Sequence, residues 1–258
     1  TVTGLTMAIA TGASGVAERM ICGVRISSGA PADCIAAIDD GVADHQVCLG
    51  FVNTFTAYLL RKSEPYRAVL GRFTLLNDGV GLDIVSLIKY GRRFGFNLNG
   101  TDFTPRYLRE TRHRYRIYLL GGRPGIAAQA ATVLQRMAPQ HEYVGARDGY
   151  FPAEENEAVI ADIAASRASL VIVALGNPQQ ELWIANNIDK TGADLAIGVG
   201  ALFDFLADAV PRAPLWMRRL KLEWLFRMAH EPRRLWKRYM IFTPTLILLE
   251  LAEKTGFL

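Results

Sequence analysis

The stretch Ser169-Leu-Val-Ile-Val-Ala-Leu175, followed at once by Gly176-Asn-Pro-Gln-Gln-Glu181, decides how this chain folds. Its apolar run shows no alternation, so it predicts a strand covered on both faces rather than a half-solvated one. Gly176 and Pro178 break the run, and Gln179 opens a helix to about Asn187. The pattern recurs along the chain. Val47–Val52 reads as a buried strand leading into a helix over Thr54–Lys62. Arg72–Leu76 runs into Asn77-Asp78-Gly79-Val80-Gly81 and then a helix from Asp83 to Arg93. Tyr115–Leu120 ends in Gly121-Gly-Arg-Pro-Gly125 and a helix to about Met137, and Leu195–Val199 is a fifth strand. Continuous apolar strands separated by helices predict an α/β fold: a Rossmann-like, mostly parallel sheet with helices on both faces.

A chain of 258 residues can hold one large domain or two small ones. Half of the residues are apolar, the balance of a packed globular protein. Cys22, Cys34 and Cys48 have no paired spacing, which fits a reducing compartment rather than a disulfide framework. The four His are scattered, so no zinc site is expected. Residues 1–18 are expected to form a flexible lead-in, since they lack the basic start and apolar centre of a signal peptide. The apolar run Ile241–Leu249 is broken by Thr and Pro and is too short to span a bilayer.

The charge is concentrated in one place. Arg212–Tyr239 holds seven Arg and two Lys against two Glu, while the whole chain carries only +4. Everything outside that segment is therefore slightly acidic. Trp216, Trp224 and Trp236 are interleaved with the basic residues. Arg with Trp on short helices suits an anionic membrane surface, and a solvated helix face packed on a core is the plainer reading. Nucleic acid is not expected, because no recognition motif accompanies the patch. The composition shift places a boundary near Asp208, with residues 1–208 as the catalytic core and 209–258 as a basic amphipathic appendage.

In a parallel sheet, ligands collect beyond the carboxyl ends of the strands, and several loops here fall at such ends. In Asn77-Asp78-Gly79 the carboxylate is placed either to act as a general base on a hydroxyl or to cap the next helix. Gly121-Gly122-Arg123-Pro124-Gly125 offers free N–H groups at a helix start, suited to a diphosphate, or forms an ordinary tight turn. Gly176-Asn177-Pro178-Gln179-Gln180-Glu181 puts amides and a carboxylate where a hydroxyl-rich ligand could use them. Asp148-Gly149-Tyr150 reads equally as a sugar- or base-contacting loop and as a turn.

Taken in order, NDGVG, NGTD, LLGG, DGYF, ALGNPQQE, GVGALFDF and the block RAPLWMRRLKLEWLFRMAHEPRRLWKRY resemble the WecG/TagA/CpsF family, glycosyltransferase family 26, over roughly Val47–Tyr239. The resemblance implies an inverting bacterial glycosyltransferase that uses no metal or other cofactor. It implies transfer of a sugar from a nucleoside diphosphate, usually UDP, to a polyprenyl-diphosphate-linked sugar in surface-polysaccharide assembly. The place implied is the cytoplasmic face of the cytoplasmic membrane, with the protein held peripherally. Carried over by position, the general base falls on Asp78, an active-site amide on Gln180 and a strand-end amide on Asn53. Asn77, Gly79, Asn99, Asp102, Gly121, Gly122, Asp148, Tyr150, Gly176, Pro178 and Glu181 are expected to line the substrate site. Arg212, Trp216, Arg218, Arg219, Arg227, Arg233, Arg234 and Arg238 are expected to meet diphosphate groups or lipid, since the guanidinium fork grips phosphate oxygens in pairs.

Three positions depart from the family pattern: Asn97 stands where many members have Arg, Phe51 where Thr is frequent, and Asp208 where Gly is usual. The first two are expected near the sugar pocket. They point away from an N-acetylmannosamine or N-acetylmannosaminuronic acid donor and toward UDP-glucose, in the GumM-like exopolysaccharide branch. Two rival readings are an NAD-dependent oxidoreductase, which would need GxGxxG after the first strand, and a peripheral membrane scaffold without an enzyme site. The apolar side chains of the appendage also allow a homo-oligomer.

Overall fold

The computed structural model describes residues 15–211, 213, 214, 216, 217, 222–230 and 232–255. Eight strands form one sheet: β1 Ala17–Ile21, β2 Val24–Ser28, β3 Val47–Val52, β4 Thr74–Asn77, β5 Arg116–Gly121, β6 Glu142–Arg147, β7 Leu170–Ala174 and β8 Leu195–Gly198. Their order across the sheet is β1-β2-β4-β3-β8-β7-β5-β6. Only the β1–β2 pair is antiparallel; the other pairings are parallel. The expected α/β class with a mostly parallel sheet is therefore what the chain adopts.

Every residue of β3, β7 and β8 is buried, which is why those segments read as unbroken apolar runs. The helices that cover them divide between the two faces. On one face lie α2 (Thr54–Lys62), α3 (Glu64–Leu70), α4 (Val80–Tyr90), α7 (Asn156–Ala165) and α8 (Gln179–Thr191). On the other lie α1 (Pro31–Asp44), α5 (Gly100–Glu110), α6 (Ile126–Met137) and α9 (Leu202–Leu206). Burial of each large aliphatic side chain in these layers contributes about 1.5–3 kcal/mol.

The elements missing from the sequence reading have weak local patterns. The β1–β2 hairpin begins inside what was expected to be a lead-in; it turns through Cys22 and Gly23, both at positive φ, the pairing that a two-residue hairpin requires. Residues 1–14 lie outside the described part. Strand β6 sits on the sheet edge and is half-exposed, so it lacks a continuous apolar run. Helix α4 starts three residues before the expected position and ends at Gly91, whose left-handed φ of 69° stops it.

Beyond α9 the chain passes through Asp208 at φ 51°. Asp, like Gly, tolerates that left-handed conformation. Further on, the described residues include α10 (Glu223–His230), α11 (Pro232–Lys237) and, after a π-helical turn at Arg238–Phe242, α12 (Thr243–Lys254). Helix α12 lies against α2 and α4. Leu246 and Glu250 on its inner face are buried, and Glu250 meets Arg61 at 3.1 Å and Lys89 at 3.7 Å.

Candidate active site

Because the central strands are parallel, their carboxyl ends open on one edge of the sheet. Asn53, Asp78, Gly122, Asp148, Gly176 and Gly200 therefore all fall on that edge. Two adjoining cavities lie there. The first, about 430 Å³, sits over the ends of β3 and β4 and is lined by Asn53, Asp78, Gly79, Asn97, Asn99 and residues of α10 and the π-turn. The second, about 900 Å³, sits over the ends of β5, β7 and β8 and the loop after β6. Its walls include Gly122, Arg123, Gly149, Tyr150, Gly176, Asn177, Gly200 and Asp204. Arg227 and Arg238 line both, so two cations stand on the border between the cavities.

Asp78 is held at the centre of the first cavity. Its backbone N–H donates to Val52 O at 2.8 Å, tying β4 to the end of β3. Asn53 caps α2 by accepting the N–H groups of Phe55 at 3.0 Å and Thr56 at 3.1 Å on its Oδ1. That leaves the Nδ2 of Asn53 to donate to the Asp78 carboxylate. Protein atoms crowd out water around Asp78 and raise its pKa, while Arg238, Arg227 and the Asn53 hydrogen bond pull it back down. Asp78 does not cap the next helix: α4 opens at Gly79 with no side chain capping it.

The two arginines lie against half-buried aromatic rings of α9 and α2. Arg227 lies 5.5 Å from the Phe205 ring of α9, and Arg238 lies 5.6 Å from the Phe55 ring of α2. Stacking of this kind orients a guanidinium without neutralising it. Among the described atoms, Nε of Arg227 is buried without a hydrogen-bond partner. Trp224 and Tyr239, with ring centres 5.5 Å apart, complete the wall of the Asp78 cavity.

The second cavity is walled in part by glycine loops and carries one open ring. Gly121 and Gly122 have φ of 132° and 72°, and a Cβ on Gly121 would lie 2.4 Å from Ala174 O, so only Gly allows β5 and β7 to close up there. Asp148 Oδ1 accepts the Tyr150 N–H at 3.0 Å and shapes the loop that carries Tyr150, whose side chain is 75% exposed.

Gln180 and Glu181 lie beneath this floor, fully buried. Gln180 Oε1 accepts the Gly200 N–H at 2.9 Å and its Nε2 donates to Glu181 Oε1 at 2.7 Å. Glu181 Oε1 also accepts from Asn177 at 2.6 Å, and its Oε2 accepts from Tyr66 OH at 3.1 Å. Burial raises the Glu181 pKa to about 7 against the pull of these donors. The pair thus supports Asn177, Gly200 and the cis Asn177–Pro178 peptide, and lines neither cavity.

Other expected positions divide similarly. Asn77 is buried behind Asp78, and Asn99 and Asp102 bond each other at the start of α5. Asp102 stands near enough to raise the Asp78 pKa slightly. Phe51 lines neither cavity: it is buried under α5, edge-on to Phe103 with ring centres 6.2 Å apart. Asn97 does line the Asp78 cavity. Trp216 and Arg233 are exposed; Arg212, Arg218, Arg219 and the Arg234 side chain fall outside the described residues. Glu223, Tyr239, Gly200 and Asp204 were not singled out, although they stood inside the quoted blocks, and Trp224 was named only as part of the basic segment.

Among the described residues no three His, Cys, Asp or Glu side chains converge as a metal-binding group, and no helix is long and apolar enough to cross a membrane. The description Glycosyl transferase WecG/TagA/CpsF family belongs to the family model that matches residues 19–257. That span takes in both cavities, the loops that build them and the helices that close them, so the chain belongs to the WecG/TagA/CpsF family and is a glycosyltransferase.

Proposed function

We propose that the Asp78 cavity receives the acceptor sugar, that the glycine-lined cavity receives a UDP-sugar, and that transfer takes place at the border marked by Arg227 and Arg238. The observation that carries this reading is a water-poor carboxylate opening beside a glycine-lined cavity on the same sheet edge, with two cations between them. Asp78 removes the proton of the acceptor hydroxyl as that oxygen attacks the anomeric carbon. The bond from that carbon to the diphosphate oxygen breaks on the opposite face, so the anomeric configuration inverts. Charge grows on the departing diphosphate, where Arg227, Arg238 and the N–H groups of the glycine loop stabilise it. Tyr150 offers an open ring on which a nucleobase can stack.

In this reading the donor is UDP-glucose, with UDP-N-acetylmannosamine or its uronic acid as the alternative, and the acceptor is a polyprenyl-diphosphate-linked sugar. No metal or cofactor is assigned a step. The exposed Trp216, Trp236, Met240 and Leu248 provide an apolar, basic-flanked surface for peripheral binding to an anionic membrane at its cytoplasmic face. The test is a mass-shift assay with a panel of UDP-sugars and a short polyprenyl-diphosphate sugar. Acceptor-dependent consumption of one UDP-sugar with anomeric inversion is expected. UDP release that ignores the acceptor, or a product with retained configuration, would refute the scheme.

A further inference from the structure

The segment Phe96–Leu98 holds the loop around Asp78 from the side. Asn77 Nδ2 donates to Phe96 O at 2.6 Å, and Leu98 N donates to Asn77 O at 3.0 Å. Across the catalytic residue, Gly79 N donates to Asn97 Oδ1 at 2.8 Å. An N–H can only donate, so the amide atom facing Gly79 is the oxygen and the orientation of the Asn97 carboxamide is decided. Asp78 thereby has both of its peptide planes restrained. The plane before it is held by its own N–H on Val52 O, and the plane after it by Asn97. The second restraint matters most, because Gly79 has φ 89° and precedes a helix with no side-chain cap. The Gly79 carbonyl is tied into α4 by the N–H groups of Leu82 at 3.2 Å and Asp83 at 3.4 Å, but a residue without Cβ leaves its N–H side, and with it the ψ angle of Asp78, to be set by Asn97.

We propose that Asn97 is a positioning residue for the general base: through the Gly79 amide it fixes the direction in which Asp78 presents its carboxylate. This rests on the reading of Asp78 given above. Asn97 lines the cavity itself and is exposed there, so a substitution opens no void in the core and leaves the fold in place.

Misplacement of a reacting group by about 1 Å can cost about 100-fold in rate. Asn97→Leu keeps the bulk and loses the acceptor; Asn97→Asp keeps an acceptor for Gly79. In Asn97→Leu, kcat should fall about 10- to 100-fold with KM for both substrates within about threefold of the parent. Asn97→Asp should recover most of that kcat at high pH, with the acid limb of its pH profile moved upward because a second carboxylate opposes ionisation of the first. The 13Cγ shift of Asp78 gives a readout that does not require turnover. Its titration midpoint should rise in Asn97→Leu, as the carboxylate swings away from Asn53 and Arg238. An unchanged midpoint in Asn97→Leu overturns the inference, as does a loss of activity carried wholly by the acceptor KM, or an Asp variant no better than the Leu variant. If the unsubstituted protein transfers no sugar, the reaction scheme fails while the titration still decides the role of Asn97.

Discussion

The docking of α12 rests on one buried carboxylate, and its removal makes a graded prediction. Glu250 has a side chain only 1% exposed, and it faces Arg61 at 3.1 Å and Lys89 at 3.7 Å; Cys22 Sγ lies 3.5 Å from the same carboxylate. Glu253, on the rim, meets the same two cations at 2.6 and 3.7 Å but is 44% exposed. Taking away one partner of a fully buried ion pair typically costs about 3–5 kcal/mol. Arg61 and Lys89 are 24% and 32% exposed, so both can regain water and both keep Glu253. That lowers the expected loss for Glu250→Ala to about 2 kcal/mol, against about 0.5 kcal/mol for Glu253→Ala at the surface. For a chain of this size 2 kcal/mol corresponds to about 4–8 °C in Tm. Hydrogen exchange of α12 should accelerate in Glu250→Ala before the strands exchange, because the helix is released locally. Activity should fall as well, since the walls contributed by Tyr239, Met240 and Thr243 would leave the Asp78 cavity. Equal effects of the two substitutions, or unaltered exchange in α12, would refute the assignment of the lock to Glu250.

Asp78→Asn keeps the shape and removes the base; kcat should drop about 10²- to 10⁴-fold, and an unchanged kcat would leave Asp78 with no chemical role. The base must be ionised to act, so activity should fall as pH decreases through its raised pKa, and Arg238→Gln should move that acid limb to higher pH by removing the larger of the two attractions. A limb that stays in place would separate Arg238 from Asp78. Glu181 is favoured in its neutral form by folding, so it binds more protons folded than unfolded, and stability should fall by about 3 kcal/mol as pH rises from about 4.5 to about 7. In Glu181→Gln, whose Nε2 can face the Tyr66 hydroxyl, urea denaturation should show that slope flattened; parallel curves would rule out Glu181 as its source.

The strands at the sheet centre were legible because burial on both faces removes polar positions altogether, as in β3, β7 and β8. The hairpin β1–β2 and the edge strand β6 carry mixed patterns, since their environment is solvent on one side and sheet on the other. Asp78 was legible as a candidate from its place between a strand and a helix, though its neighbours in the cavity were not. Those neighbours, Asn53 and the two arginines, come from other parts of the chain. Gln180 and Glu181 were legible as special residues, yet their burial under the floor of the second cavity follows from contacts to Gly200 and Tyr66.

From residue order alone came the α/β class, the sheet-edge loops and the basic segment, because strand burial, glycine turns and local charge are properties of neighbouring residues. Tertiary structure alone decided that the loops divide into two cavities, that Arg227 and Arg238 stand between them, and that Asn97 reaches Gly79. It also decided that Glu250 closes on Arg61 across 189 positions of chain. Those outcomes are set by distances between residues remote in sequence, and such distances exist only once the sheet has assembled.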